Sequence, residues 1–568
     1  MRTLLTTLHS KFIHNSLALP CIAAYCGDAC GEILIREYTV HEPKENILSA
    51  MLAEKPDVIA FSTYIWNRRE TLELVDLLST VNPELKLVIG GPEVSFEDAG
   101  IFTRHPGLTA LIRGEGEIPM RGLLSAWQYG KQPAAVPRLA WRDGDAIANG
   151  PDLPPLDNLD DIPSPFSGGL VDTARGFVYL ETSRGCPYNC SFCMSALDDS
   201  VRSFSMERIK ADLSWLLEQQ VGKVKLVDRT FNYDAPRAYE IFKFILDNNR
   251  ETHFHFEIGG HLLDEPTLEL LEQVPEGMFH FEIGVQSTLP ETLTAIDRKV
   301  SLDKLLNNIE QLSKRTRIEL HLDLIAGLPG ETAAQFLDSI DRLFALNPDH
   351  LQIEPVKLLP GAPLRDAAKT QNLRYDPNPP YTITSNNDLD FADLECLRAI
   401  SRFIDLTWNS GRLRNFLRAA SGLTGGMSKT LELLALHLQK KGLFRLPLSQ
   451  NGIFEAVCAA VEELFAEPER LVLTEHLARD YALCERVIPA RAPGFFDTGL
   501  RPDEQTIVRQ SVQQRQLELR GQGTKLQYFA AVFRHLDDRR RHIRLFFYLT
   551  RCGTGRKIDE IIFPADRD

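Results

Sequence analysis

Three cysteines in the stretch Arg184-Gly185-Cys186-Pro187-Tyr188-Asn189-Cys190-Ser191-Phe192-Cys193 carry the strongest chemical signal in the sequence. The Cys-x3-Cys-x2-Cys spacing puts three soft thiolates on one tight loop, and soft sulfur ligands suit iron–sulfur or zinc sites. Three thiolates can hold three irons of a four-iron cluster and leave the fourth iron open to a substrate or cofactor. A closed zinc site wants a fourth protein ligand. No Cys or His follows soon after the loop, and the next candidates, His253 and His255, fall in a predicted strand. Three ordinary buried thiols are the alternative. Position weighs against it, because the loop directly follows a predicted strand that opens a barrel-like pattern, where such folds place their chemistry.

The elements that must position this loop are legible by period and length. Predicted strands at Phe177–Thr182, Lys223–Val227, His253–Ile258, Phe279–Gly284, Ile318–Ile325 and His350–Pro355 alternate with helices at Ser205–Gln219, Pro236–Asn248, Pro266–Gln273, Leu302–Thr316 and Thr332–Ala345. Six such units fit a partial barrel, short of the eight of a full one. Upstream, strands at Met1–Leu8, Ile33–Val40, Val58–Ser62 and Lys86–Ile89 alternate with helices at Ser16–Tyr25, Asn46–Glu54 and Arg68–Val81. That pattern indicates a doubly wound parallel sheet, with ligands outside the carboxyl ends of its strands. Pro151–Gly169, rich in Pro, Asp and Gly, cannot continue a helix or central strand and marks a linker. The expected division is a Rossmann-like domain over 1–145, a linker over 146–172, a barrel core over 173–375 and a mostly helical C-terminal domain over 376–568.

The chain has 568 residues, 10 Cys and a formal charge of −15, with 43% hydrophobic and 25% charged residues. Collagen-like, disordered and small disulfide-scaffold classes are excluded. The acidic balance argues against broad nucleic-acid binding, which needs a cationic surface. No apolar run reaches the length of a membrane helix, and Met1–His9 has no signal-peptide profile, so a cytoplasmic protein with reduced thiols is expected. Cys21, Cys26 and Cys30 span a predicted helix and the turn after it, and read as packing residues.

Gly185-Cys186-Pro187-Tyr188-Asn189-Cys190-Ser191-Phe192-Cys193 resembles the signature of the radical S-adenosylmethionine (radical SAM) superfamily, including its aromatic residue before the last Cys. The resemblance spans roughly 173 to 375. It implies a 4Fe-4S cluster bound by Cys186, Cys190 and Cys193, with the open iron chelated by the methionine moiety of S-adenosylmethionine. Reductive cleavage would then give a 5′-deoxyadenosyl radical that abstracts a substrate hydrogen. It further implies an electron donor such as flavodoxin or ferredoxin.

Strand-end residues fit the same resemblance. Asp228, after the second barrel strand, is the candidate for the methionine amino group, with a helix N-cap as the alternative. Glu257, ending the third strand, is placed to accept ribose hydroxyl hydrogen bonds, with an ion pair as the alternative. Glu282, Gln286 and Ser287 lie in a Gly-Val-Gln-Ser-type segment and are candidates for cofactor contact, against ordinary turn hydrogen bonding. Asp323–Gly330 closes the fifth strand, and Thr332 is a candidate cap of the next helix.

Residues 1–145 resemble the cobalamin-binding domain that precedes many radical SAM enzymes. The matching marks are Phe61-Ser62, Gly90-Gly91-Pro92-Glu93 and Gly114-Glu115-Gly116-Glu117, with Gly90, Gly91, Gly114 and Glu115 as candidate cobalamin contacts. The Asp-x-His-x-x-Gly motif that places a His under cobalt is absent. His9 and His14 lie in the corresponding loop and read as loop or capping residues.

Residues 376–568 carry no motif that converts to chemistry. The run Asp537–His542 reads as a solvated turn between strands, and Phe546, Phe547 and Tyr548 as sheet packing. The leading expectation is cobalamin-dependent methyl transfer to an unactivated carbon of a small molecule or peptide. A radical cyclisation or rearrangement without methyl transfer, and a noncatalytic metal- or nucleic-acid-binding protein, are the alternatives.

Overall fold

The computed structural model describes residues 1–197, 200–520, 522–536, 540–551 and 556–564. Two compact units emerge: Met1–Glu331 with Pro355–Asp390, and Thr332–Glu354 with Phe391–Asp568.

The first unit begins with a seven-stranded sheet of order β2-β1-β3-β4-β5-β6-β7. Its strands are β1 (Arg2–His9), β2 (Glu32–Thr39), β3 (Val58–Ser62), β4 (Lys86–Gly90), β5 (Leu108–Ile112), β6 (Leu139–Asp143) and β7 (Ala146–Asn149). The first five pair in parallel, and β6 and β7 add an antiparallel edge. Its central strands are buried on both faces. Leu4, Ile59, Phe61, Leu87 and Ile89 join one apolar cluster, and Leu5, Val58, Ala60 and Val88 join another. Continuous apolar strands are what a parallel sheet covered on both sides requires. The helix expected from Ser16 begins at Ala18, and the Ser16 Oγ accepts from the Leu19 N–H at 3.2 Å. Cys21, Cys26 and Cys30 are all buried packing residues.

The barrel sheet of this unit runs β8 (Val178–Leu180), β11 (Lys223–Leu226), β12 (His253–Glu257), β13 (Phe279–Gln286) and β14 (Glu319–Ala326), all parallel. Two short strands, β9 (Ser183–Arg184) and β10 (Arg202–Ser203), pair antiparallel beside it. One face is apolar: Phe254, Phe256, Phe279 and Phe281 are fully buried, and Phe242 of the helix Ala235–Asn248 packs on Phe256, Phe279 and Phe281. Alternate positions on the other face are titratable: Lys225, His255, Glu257, Glu282, His321 and Asp323. Val356 N donates to Ala326 O at 2.8 Å, and a short pair, β16 (Arg374–Tyr375) and β17 (Ile383–Ser385), follows β15 (His350–Pro355) in the chain.

The second unit is a helical array completed by an antiparallel sheet of β18 (Thr524–Phe533), β19 (His542–Arg551) and β20 (Arg556–Pro564). Its helices include Phe391–Leu406, Arg414–Thr424, Met427–Lys440, Gln450–Leu464, Glu469–Cys484 and Pro502–Glu518. Thr332 caps the helix Ala333–Ala345 in a reciprocal box with Gln335. Of the charge run, Asp537, Asp538 and Arg539 lie outside the described residues. Arg540 is exposed, whereas Arg541 departs from the solvated-turn expectation, its guanidinium being largely buried against Glu504 at 2.8 Å. Phe546, Phe547 and Tyr548 are buried in the sheet.

Candidate functional site

The cysteine loop leaves the carboxyl end of β8, and the β9–β10 pair closes its neck, with Arg184 opposite Arg202 and Ser183 opposite Ser203. Gly185 turns the chain at φ +93°, and a Cβ there would lie 2.3 Å from the Ser200 carbonyl oxygen, so only glycine fits. Ser191 N donates to Ile296 O at 2.9 Å, and Leu364 N donates to Ser191 O at 2.8 Å, pinning the loop from two sides. Cys186, Cys190 and Cys193 are all free thiols. The Ser195 N–H donates to Cys193 Sγ at 3.4 Å, Arg298 Nη1 donates to Cys190 Sγ at 3.6 Å, and Cys186 Sγ lies 3.5 Å from Thr230 Oγ1. Burial pushes the Cys190 thiol up, and the Arg298 charge opposes this. Three soft donors on one pinned loop, two of them already receiving N–H donors, fit an iron–sulfur cluster, whose potential such hydrogen bonds tune.

Arg298 was not legible in the sequence. It lies in a loop 108 residues from Cys190, donates also to Gly284 O, and sits over the Tyr188 ring at 5.9 Å. Tyr188 in turn hydrogen-bonds its hydroxyl to His261 Nε2 at 2.8 Å.

Asp228 is fully buried. Its carboxylate accepts from Thr182 N at 3.1 Å and from the Thr182 and Ser183 hydroxyls at 2.5 Å each, with Arg237 at 3.7 Å. It therefore holds the segment entering the cysteine loop. The cap of the following helix is Asp234, which accepts from Arg237 N at 2.9 Å, so the capping alternative for Asp228 does not apply.

Glu257 ends β12 and is mostly buried beside Glu282, with Asp228, Arg229 and Asp323 also within electrostatic reach. Burial pushes its carboxyl up to about 7, with Arg229 opposing and the neighbouring acids adding to the rise. Glu282 goes the other way: burial works to raise it, but the His255 hydrogen bond at 3.0 Å and the charges of His321, His255 and His280 hold it below the usual carboxylate range. Two carboxylates opposite each other in one sheet register thus favour different protonation states.

Gln286 lies at a β-bulge with φ +71°, a conformation that non-glycine residues rarely adopt, and its side-chain Oε1 is buried without a hydrogen-bond partner. Strain and an orphaned acceptor at a strand end are the marks of a ligand-facing residue. Ser287 donates to Glu331 Oε1 at 3.0 Å and accepts from Leu289 N at 3.1 Å, so its hydroxyl shapes the turn.

In the N-terminal sheet, Gly90 O accepts from Thr63 N at 2.7 Å. Gly91, at φ +103°, lets Thr63 approach where a Cβ would be 2.6 Å from the Thr63 carbonyl oxygen. Gly114 N donates to Ser95 Oγ at 3.0 Å. These glycines tie strand-end loops to one another. Around them the carboxyl edge exposes Phe12, Trp66 and Phe96, with Tyr64 stacked on Trp66 at 4.5 Å and the Thr63 hydroxyl buried without a partner. An apolar rim with an orphaned polar atom fits a large, mostly apolar ring system such as a corrin. His9 lies 3.5 Å from Glu37, and His14 hydrogen-bonds Tyr179 of β8 at 3.1 Å, so both imidazoles have partners.

Glu115 faces the cysteine loop. Arg184 donates to Glu115 at 3.0 Å, to Glu117 at 2.7 Å and to Glu181 at 3.0 Å, and Arg202 also pairs with Glu115. Burial would raise Glu115, but the Arg202 and Arg184 partners hold it below its ordinary value. The Gly-Glu-Gly-Glu motif is thereby joined to the residue that precedes Gly185.

Comparison with known proteins assigns these two parts. Residues 180–343 match the family model "Radical SAM superfamily", and residues 4–124 match "B12 binding domain". The chain therefore combines a radical SAM domain with a B12 binding domain. Residues 369–547 match a third model, "Protein of unknown function (DUF4080)".

Among curated relatives, the chain is 32% identical over 337 residues to the cobalamin-dependent radical SAM methyltransferase TokK of Streptomyces tokunonensis, covering 56% of this chain and 49% of that protein. It is 30% identical over 334 residues to the 2-(S-pantetheinyl)-carbapenam-3-carboxylate methyltransferase of Streptantibioticus cattleyicolor, covering 55% and 49%. The chain thus spans about half the length of these relatives. Among solved structures, the cobalamin-dependent S-adenosylmethionine radical enzyme OxsB shares the fold, with a TM-score of 0.59 and 16% identity over 85% of this chain and 83% of that one. The methyltransferase TsrM of Kitasatospora setae, solved with cobalamin and a 4Fe-4S cluster, aligns with a TM-score of 0.55 and 17% identity over 66% and 78%.

Proposed function

We propose that this chain is a cobalamin-dependent radical SAM methyltransferase acting on an unactivated carbon of a small molecule or peptide. The observation that carries the reading is the join at Arg184: the residue before the cysteine loop is held by Glu115 and Glu117 of the B12 binding domain. Cys186, Cys190 and Cys193 would hold the 4Fe-4S cluster, and the rim of Phe12, Trp66 and Phe96 the corrin. Bound there, the cluster and S-adenosylmethionine supply a hydrogen-abstracting 5′-deoxyadenosyl radical, and cobalamin supplies a methyl carrier.

The residues of the chain divide the remaining work. Asp228 and Ser287 position the loops around the cofactor, while Glu257 and Gln286, which end β12 and β13, and Glu282, within β13, are left for direct contact. A carboxyl at Glu257 shifted toward neutrality is suited to hydrogen-bond hydroxyls as either donor or acceptor. The domain division 1–145, 146–172, 173–375 and 376–568 belongs to this reading, with β7 carrying the first domain's sheet on to Asn149. So do a reducing, cytoplasmic setting and a flavodoxin- or ferredoxin-type electron donor.

Anaerobic reconstitution with iron, sulfide and cobalamin tests the proposal. The expected result is about four irons per chain, bound cobalamin by visible absorption, and 5′-deoxyadenosine on reduction with S-adenosylmethionine. The Cys186→Ala, Cys190→Ala and Cys193→Ala variants should lose all iron-dependent product. A colourless zinc protein would sink the radical reading. Iron and 5′-deoxyadenosine without cobalamin would replace methyl transfer by another radical reaction.

A further inference from the structure

The amino-terminal ends of β12, β13 and β14, opposite the end that carries the cysteine loop, hold a cluster that the proposed chemistry does not use. His253 opens β12, His280 is the second residue of β13, and Glu319 opens β14. One ligand atom from each lies within 4.8 Å of the others. His253 Nδ1 is 2.8 Å from Gly277 O, which places the ring proton on Nδ1 and leaves the lone pair on Nε2. That Nε2 is buried and has no hydrogen-bond partner. His280 repeats the pattern: Nδ1 faces Glu319 Oε2 at 3.2 Å, and its Nε2 is also buried without a partner. Two buried imidazole acceptors without donors are a cost unless something supplies the missing bond.

We propose that His253, His280 and Glu319 form a binding site for a divalent transition-metal ion, with zinc as the ion that this donor set fits. Two imidazole nitrogens and one carboxylate oxygen are ordinary zinc ligands. A backbone carbonyl behind the far nitrogen of His253 is the outer partner that orients a metal-bound imidazole, while Glu319, which faces His280 Nδ1, belongs to the ligand set itself. Ligands about 2.0–2.1 Å from a tetrahedral ion lie about 3.3 Å apart, so the cluster closes by at most about 1.5 Å on binding. Glu319 is half-exposed, which gives the ion its entry and leaves a position for water. Lys223 is the opposing group, because its charge reaches both His253 and Glu319. The ion would join three neighbouring strands of the barrel at the end remote from catalysis, and the site stands whatever reaction the cysteine loop supports.

The full chain, with its iron–sulfur cluster reconstituted first so that the cysteines are occupied, is titrated with zinc against a chromophoric chelator. One zinc per chain is expected, with a rise in melting temperature on binding. His253→Gln and the milder Glu319→Gln should each weaken zinc at least tenfold while iron content and cluster absorption stay unchanged. Lys223→Gln should tighten it. No zinc uptake by the wild-type chain, or equal affinity in wild type, His253→Gln and Glu319→Gln, overturns the proposal.

Discussion

The two parallel sheets of the first unit are built from the same strand–helix alternation, yet they use their faces differently. β1, β3 and β4 bury aliphatic side chains on both sides, as Leu4 and Leu5 or Ile59 and Ala60 show. β12, β13 and β14 bury phenylalanine and leucine on one side and hold His255, Glu257, Glu282, His321 and Asp323 on the other. The first sheet is sealed and offers chemistry only at its loops. The second sheet keeps a polar face along its whole height, unlike a barrel filled by branched apolar layers. The difference shows that one wall of the barrel carries stability while the opposite wall is released for recognition.

The largest expected effect tests the sealed wall of the barrel. Phe256→Ala should cost about 3–5 kcal/mol, read by urea unfolding, because its ring packs against Phe231, Phe242, Phe279 and Phe281. Equal stability of Phe256→Ala and wild type would break the two-wall comparison. Arg184→Met should cost a similar ~3–5 kcal/mol, since it strands Glu117 and Glu181 in largely buried positions and leaves Glu115 to Arg202 alone. Limited proteolysis should then cut between the B12 binding domain and the barrel.

The polar wall answers to pH. The Glu257 carboxyl is raised in the folded chain to about 7, so the folded state holds a proton that the unfolded state has released. Stability from this group is present at acid pH and falls as pH rises from the ordinary glutamate range to about 7. Glu257→Gln should therefore match wild type near pH 5 and melt higher at pH 8, by about 1 °C for each kcal/mol relieved in a chain of this length. Its yield of 5′-deoxyadenosine should fall at both pH values. Glu282, held low, has the opposite sign: its contribution is present above its unfolded value and is lost as pH falls through the lowered one. The smallest effect belongs to the doubly covered sheet, where Ile59→Val should cost about 0.5–1.5 kcal/mol and leave cofactor chemistry unchanged.

Much of this was legible in the sequence because local rules and tertiary demands agree. His253-Phe254-His255-Phe256-Glu257 alternates with period two and forms β12 over those residues. The cysteine spacing is local, so the loop could be read directly. What could not be read depends on distant partners. Arg298 meets Cys190 only through the return of the chain after β13, and Arg184 meets Glu115 and Glu117 across 69 and 67 residues. Asp228 was read as facing a ligand, but Thr182 and Ser183 occupy its oxygens, a pairing set by the alignment of β8 with β11. Pro502–Glu518 escaped notice because its sequence is polar almost throughout.

The Arg184 hub also decides which solvent conditions can loosen the first unit. Its guanidinium is only 13% exposed and is shared among three carboxylates, so mobile ions cannot approach closely enough to screen it. Concentrated salt, which erases surface ion pairs such as Lys243–Asp247, should leave this grip intact through chromatography. Burial pushes the Glu181 carboxyl up to about 7, so its share of the grip weakens first, and acid that reaches the lowered titration of Glu115 should loosen the neck of the cysteine loop.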